Sequence, residues 1–137
     1  MTEDAADFFR FLTNSYLAEP SEETARRLWR AFFALDGLYF LMRRAGEDSV
    51  PAIGIHESAA YVLVWTDPAS LKEYVASADN DESAESTSAL YVPLQKAVEH
   101  LLRYQEHGVL GVRFNPPLGW SVPLDRLRAV ASHHGVL

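Results

Sequence analysis

The histidines have the most direct chemical potential in this chain, because imidazole binds metals and transfers protons near neutral pH. His100 and His107 lie seven residues apart in a predicted helix. A helical zinc motif instead has its histidines four apart with a glutamate between them. His56 lies in a predicted hairpin, and His133-His134 lies near the end of the last predicted helix. These positions predict surface histidines and no metal site.

Other catalytic and ligand-binding motifs are incomplete. Asp79 and Asp81 have the spacing that begins a calcium loop, but Ala84 stands where that loop needs glycine and Leu90 stands where it needs glutamate. There is no cysteine and no glycine-rich phosphate loop, and Ser58 lacks the glycine setting of a nucleophile elbow. We therefore expect no cofactor and no enzymatic activity.

Polar and aromatic residues follow two predicted strands. Thr66 directly follows one strand, Arg113 lies within the other, and Asn115 and Trp120 come after it. If the strands are neighbours, these residues line one edge of the sheet, where binding residues often gather. Two interpretations stay open. Either the four residues bind a small ligand or substrate, or Thr66 and Asn115 satisfy backbone groups in turns while Trp120 covers the core.

The N-terminal segment, residues 1–18, predicts a helix rich in aromatic residues. Phe8, Phe11, Leu12 and Tyr16 fall on one stripe at helical spacing, with Phe9 beside it. The stripe either packs on the sheet of its own domain or binds a protein partner or a second copy. Membrane attachment is disfavoured, because interfacial helices carry several basic residues and this segment has one arginine.

Charge excludes some classes of partner. The net charge of −7 disfavours nucleic-acid binding, which needs basic surface. Residues 1–85 carry 16 acidic and 7 basic side chains, whereas residues 86–137 carry 3 and 5. Either the two parts complement each other within one fold, or a partner recognises an acidic face. The second predicted helix carries three arginines, Arg26, Arg27 and Arg30. They either form a solvated face or contact an anion.

Location follows from the first residues and from hydropathy. Glu3, Asp4 and Asp7 are the reverse of the basic start of a signal peptide, and no apolar run is long enough to cross a bilayer. We expect a cytoplasmic protein that does not bind membranes.

The elements that carry these residues predict an α+β fold. Helices are expected over residues 2–17, 21–35, 68–76, 93–107 and 123–133. Ser21 and Asp67 are predicted to cap the starts of the second and third helices, and Gly108 is predicted to end the fourth. Strands are expected over 38–42, 52–55, 61–65 and 109–114, with a short edge segment near 118–122. Residues 77–88 predict an acidic mobile loop. The chain is thus predicted to be one compact domain with a mixed or mainly antiparallel sheet of four to five strands and helices packed around it.

Three short motifs resemble the SseB-type domain, the N-terminal module of enhanced-serine-sensitivity proteins. They are the helix and strand from Trp29 to Met42, the strand and turn from Val62 to Pro68, and the segment Gly108–Pro116 followed by Val122-Pro123-Leu124. The resemblance covers about residues 21–130. The family has no accepted catalytic residues to carry over. The absence of catalytic motifs, the acidic composition and the aromatic terminal helix lead us to expect a non-enzymatic bacterial interaction or regulatory module of this family. The alternative is a ligand-binding or enzymatic domain that uses the strand-end edge near Thr66 and Asn115.

Overall fold

Five helices and seven strands make up the part of the chain that the computed structural model describes, which is residues 2–45, 48–77, 87–116 and 120–136. The helices are α1 (Thr2–Ala18), α2 (Glu22–Phe33), α3 (Pro68–Ser77), α4 (Leu94–Arg103) and α5 (Leu124–His133). The strands are β1 (Gly37–Ala45), β2 (Asp48–Pro51), β3 (Ile53–His56), β4 (Ala59–Trp65), β5 (Thr87–Pro93), β6 (Gly111–Phe114) and β7 (Trp120–Pro123). A one-turn 3-10 helix, Tyr104–His107, continues α4. The predicted α+β class is confirmed.

All seven strands join one mixed sheet. β1 pairs antiparallel with β5 on one side and with β2 and β4 on the other, and β3 pairs antiparallel with β4. β4 and β6 are parallel, and β7 returns antiparallel beside β6. The parallel pair requires a long connection from β4 to β6, and α3, β5 and α4 lie within it. This topology brings the ends of β4 and β6 to the same edge of the sheet.

The predicted strand count of four to five was too low. β5 was missed because it follows a polar segment and lies at the sheet edge, where Leu90 and Tyr91 remain exposed. β1 continues through Arg43 and Arg44, which the sequence placed in a connection, because both pair with β2. The strand predicted over 52–55 corresponds to β3, and β2, which was not predicted, precedes it. The two meet at Ala52, whose amide donates to β1 and whose carbonyl accepts from β4. The interior of the predicted acidic loop, residues 78–86, lies outside the described residues.

Helices cover the two faces of the sheet unequally. On one face α1, α2, α4 and α5 enclose the main core, whose largest fully buried side chains include Phe9, Phe32, Phe40 and Phe114. On the other face α3 closes a small cluster around Trp65 and Leu71. No helix among the described residues is long and apolar enough to cross a membrane.

Local signals set several boundaries as the sequence predicted. Ser21 and Thr24 form a capping box at the start of α2. The Asp67 carboxylate accepts from the Ser70 amide at 2.7 Å, so it caps α3. Gly108 ends the helical segment with a φ of 84°, a conformation that glycine adopts without steric cost.

Candidate functional site

The strand-end residues Thr66 and Asn115 meet, as their neighbouring strands require. The Thr66 amide donates to Asn115 Oδ1 at 2.9 Å, and Asn115 Nδ2 donates to Thr66 Oγ1 at 3.0 Å. Asn115 is 3% exposed and Thr66 is 7% exposed. The two side chains therefore satisfy each other in the interior, and neither presents a free polar group to a ligand.

Asn115 also shapes the backbone at this edge. Its φ is 49°, in the left-handed region, where asparagine is several-fold enriched among non-glycine residues. Its amide donates to the Val64 carbonyl at 2.8 Å, continuing the parallel pairing of β4 and β6. These bonds give Asn115 a structural role at the joint between the two strands.

The structure separates the other two predicted strand-end residues. Trp120 stacks on Phe114 at 4.8 Å within the main core, and it is 6% exposed. Arg113 precedes Phe114 in the strand, so its side chain projects from the opposite face of the sheet. The cavity that touches Thr66 measures about 40 Å³, about the volume of one water molecule. Because Arg113 and Trp120 lie on opposite faces of the sheet, the four residues do not share one surface.

The aromatic stripe predicted on the N-terminal helix is divided among three environments. Phe9, which the helical pattern placed beside the stripe, is fully buried in the main core. Leu12 is 8% exposed, and most of its side chain lies in the same core. Tyr16 is half-buried against the core, facing α5. Phe8 and Phe11 project outward and are 57% and 64% exposed.

An open groove runs between α1 and α2, and we call it the α1–α2 groove. Its volume is about 850 Å³. Apolar residues line much of it, with two phenylalanines on the α1 side and two arginines on the α2 side. The lining residues are Ala5, Phe8, Phe11 and Leu12 from α1, and Arg27, Arg30, Ala31 and Ala34 from α2 and its C-terminal end. Glu23 holds the Arg27 guanidinium at 2.7 Å. The arrangement can accept an apolar knob on alanine methyls while guanidinium groups contact an acidic side chain.

Most residues of the α1–α2 groove could not be identified from the sequence. Ala31 is buried within α2 and Ala34 is the exposed residue that follows the helix, so helical spacing does not group them in one groove. The exposure of Phe8 and Phe11 depends on how α1 packs against the core. The available signal was the number of aromatics in the first helix, which exceeds what one core-facing stripe can bury.

The histidines do not gather into a metal site. Within the described residues, no group of three or more histidine, aspartate or glutamate side chains could hold a metal ion. His100 packs edge-on against Phe40, with ring centroids 5.4 Å apart. Burial, followed by the charge of Arg103, lowers the pKa of His100. That side chain therefore acts as part of the packing between α4 and β1.

Comparison with known proteins leaves the family open. No protein-family model matches this sequence, and no curated protein matches it.

Proposed function

We propose that this chain is a non-enzymatic protein-interaction module of the SseB type, and that the α1–α2 groove binds the same surface of a second copy. The observation that carries the proposal is the exposure of Phe8 and Phe11 on a helix whose other side is core. Two neighbouring phenylalanines that are more than half exposed form an apolar patch of the kind that marks interaction sites.

The groove is self-complementary, which favours a second copy as the occupant. In a two-fold symmetric dimer the same surface patch of each copy contacts the other, so that patch must carry both a protruding side chain and a recess that accepts it. Phe8 and Phe11 supply the knobs, and Ala31 and Ala34 line the hole. The charges along the groove are also complementary between two copies. The α1 helix presents the exposed Asp7 and α2 presents the exposed Arg30, so pairing α1 of one copy with α2 of the other brings opposite charges together.

Burial of the two exposed rings would supply part of the free energy that association needs. With about 200 Å² for a phenylalanine side chain, exposures of 57% and 64% leave about 240 Å² of the two rings in water. At about 25 cal/mol per Å², burying that area stabilises a dimer by up to about 6 kcal/mol per copy. A contribution of this size offsets much of the cost of association, which is about 4–15 kcal/mol.

Sedimentation velocity tests the proposal. We expect the 15.4 kDa chain to shift towards twice that mass as its concentration rises from about 1 to 100 µM, the range of micromolar association. The double variant Phe8→Ser, Phe11→Ser should stay monomeric throughout. Because both side chains are exposed, its free energy of unfolding should remain within about 0.5 kcal/mol of the native monomer.

Matched variants keep the result specific. Ile55 and Leu110 are 72% and 49% exposed and lie away from the α1–α2 groove. Ile55→Ser and Leu110→Ser should therefore leave association unchanged. A native chain that stays monomeric over the whole range would contradict the proposal. So would a double variant that associates as strongly as the native chain.

A further inference from the structure

A second groove lies between α2 and α5, and we call it the α2–α5 groove. Its volume is about 820 Å³. Three arginines and two histidines surround an aromatic floor: Arg26, Arg30, Arg126, His133 and His134 around Tyr16 and Trp29. The two helices are about a hundred residues apart in the chain, so this concentration of basic groups is a product of the fold.

The charge of the α2–α5 groove is opposite to that of the whole chain. The chain carries a net charge of −7, yet three arginines line this groove against one carboxylate, that of Glu22. A concave surface lined by one sign of charge concentrates counter-ions. Guanidinium groups also present paired donors that match the geometry of a carboxylate or a phosphate. The groove is therefore suited to a compact oxyanion.

Aromatic stacking fixes part of the rim. The His134 ring stacks on Phe33 with centroids 4.5 Å apart and planes at 23°. Phe33 in turn stacks on Trp29 at 6.0 Å. Since Trp29 is buried against the core, this stack holds the His134 imidazole, which can donate a hydrogen bond, at a set position beside the groove.

A narrower recess of about 150 Å³ continues the groove towards β7, and Tyr16, Ala25, Trp29 and Arg126 line both spaces. Trp29, Ala25 and Tyr16 give the recess a largely apolar wall beside the Arg126 guanidinium. The recess is therefore suited to the apolar body of a small molecule whose anion lies at the arginines.

We propose that the α2–α5 groove binds a small molecule that carries a compact dianion. The anion lies among Arg26, Arg30 and Arg126, and the body of the molecule enters the recess beside Trp29. Phosphate monoesters and dicarboxylates share this chemistry. Arg30 lines both this groove and the proposed dimer interface, whereas Arg26 and Arg126 line the α2–α5 groove and not the α1–α2 groove, so substitutions at Arg26 and Arg126 test the anion site separately.

Isothermal titration calorimetry with four probes tests the site and identifies the source of the anion. Inorganic phosphate and phenyl phosphate form one arm, and malonate and phthalate form the other. We expect saturable one-to-one binding in at least one arm, with the aromatic probe of that arm binding more tightly because its ring enters the recess. The arm that binds identifies the class of anion. No saturation in either arm up to about 10 mM would overturn the proposal.

Variants locate the binding. Arg126→Gln and Arg26→Gln should each weaken it by about tenfold or more, the loss expected for one charge-assisted hydrogen bond. Arg128→Gln is the matched control, because Arg128 is exposed on α5 and bonds to Gln105 outside the groove. Equal weakening by all three variants would indicate attraction to general positive charge and would overturn the site. Sedimentation velocity on the Arg26→Gln and Arg126→Gln variants should give the same mass as the native chain. Weaker anion binding at an unchanged mass then cannot be attributed to a loss of the proposed dimer.

Discussion

Replacing Asn115 with alanine perturbs the joint between β4 and β6 at a single point. The change removes the acceptor of the Thr66 amide and the donor to the Thr66 hydroxyl. It keeps a Cβ at a φ of 49°, where that atom approaches the following carbonyl oxygen, so the backbone strain of the native residue remains. Because both residues are less than 10% exposed, water cannot replace the lost partners without opening the structure.

The expected destabilisation comes mainly from the lost hydrogen bonds. A buried amide left without an acceptor costs about 1–3 kcal/mol, whereas the steric cost of the left-handed φ is common to asparagine and alanine. Asn115→Ala should therefore lower the free energy of unfolding by about 1–3 kcal/mol. Asn115→Gly loses the same hydrogen bonds without the backbone strain, so it should be the more stable of the two variants by about 1 kcal/mol or more.

Urea unfolding monitored by tryptophan fluorescence measures both free energies, and amide hydrogen exchange at Thr66 reports the lost bond directly. We expect the Thr66 amide to exchange faster than the neighbouring β4 amides in both variants. An Asn115→Ala variant within about 0.5 kcal/mol of the native protein, the range of ordinary surface substitutions, would show that the Thr66–Asn115 hydrogen bonds do not stabilise the fold. A glycine variant less stable than the alanine variant would refute the strain component.

Two further predictions concern the core. Phe9→Ala should lower the free energy of unfolding by about 3–5 kcal/mol, because the ring is fully buried. Denaturant unfolding measures this loss, with Phe11→Ala as the exposed control expected below about 1 kcal/mol. A loss for Phe9→Ala as small as that of the control would contradict the described orientation of α1. For His100, burial lowers the pKa in the folded protein, so the unfolded chain takes up the proton at higher pH. Stability from this group is present above about pH 6.5 and is lost as the pH falls through the lowered pKa. His100→Gln should flatten the dependence of unfolding free energy on pH between about pH 7.5 and 5, and an unchanged slope would contradict the assignment.

Local chemistry was enough to predict much of the fold. Ser21, Asp67 and Gly108 mark helix boundaries through side-chain caps or a positive φ, and these depend on a few adjacent residues. β4 was recognisable because its branched and aromatic residues suit a strand buried on both faces. β5 was not, because its identity as a strand comes from pairing with β1, about fifty residues earlier in the chain. Pairing between distant segments is not encoded in a local pattern.

The candidate sites were harder to predict for the same physical reason. The strand ends were expected to meet, and Thr66 and Asn115 do meet, but their mutual hydrogen bonds could not be inferred from residue types alone. On α1, helical spacing could not decide whether Phe8 or Phe9 faces the core, because the packing of α2 and β6 sets the rotation of the helix. The α2–α5 groove joins Arg26 to Arg126 across a hundred residues.

Isotope-filtered nuclear Overhauser spectroscopy on a mixed sample tests the central claim most directly. One half of the protein carries ¹³C-labelled alanine methyl groups and the other half is unlabelled, so cross-peaks between labelled methyls and unlabelled rings arise only between copies. If the α1–α2 groove binds a second copy, intermolecular cross-peaks should connect the Ala31 and Ala34 methyls to the rings of Phe8 or Phe11. Their absence in a sample that sediments as a dimer, or cross-peaks confined to another surface, would contradict it.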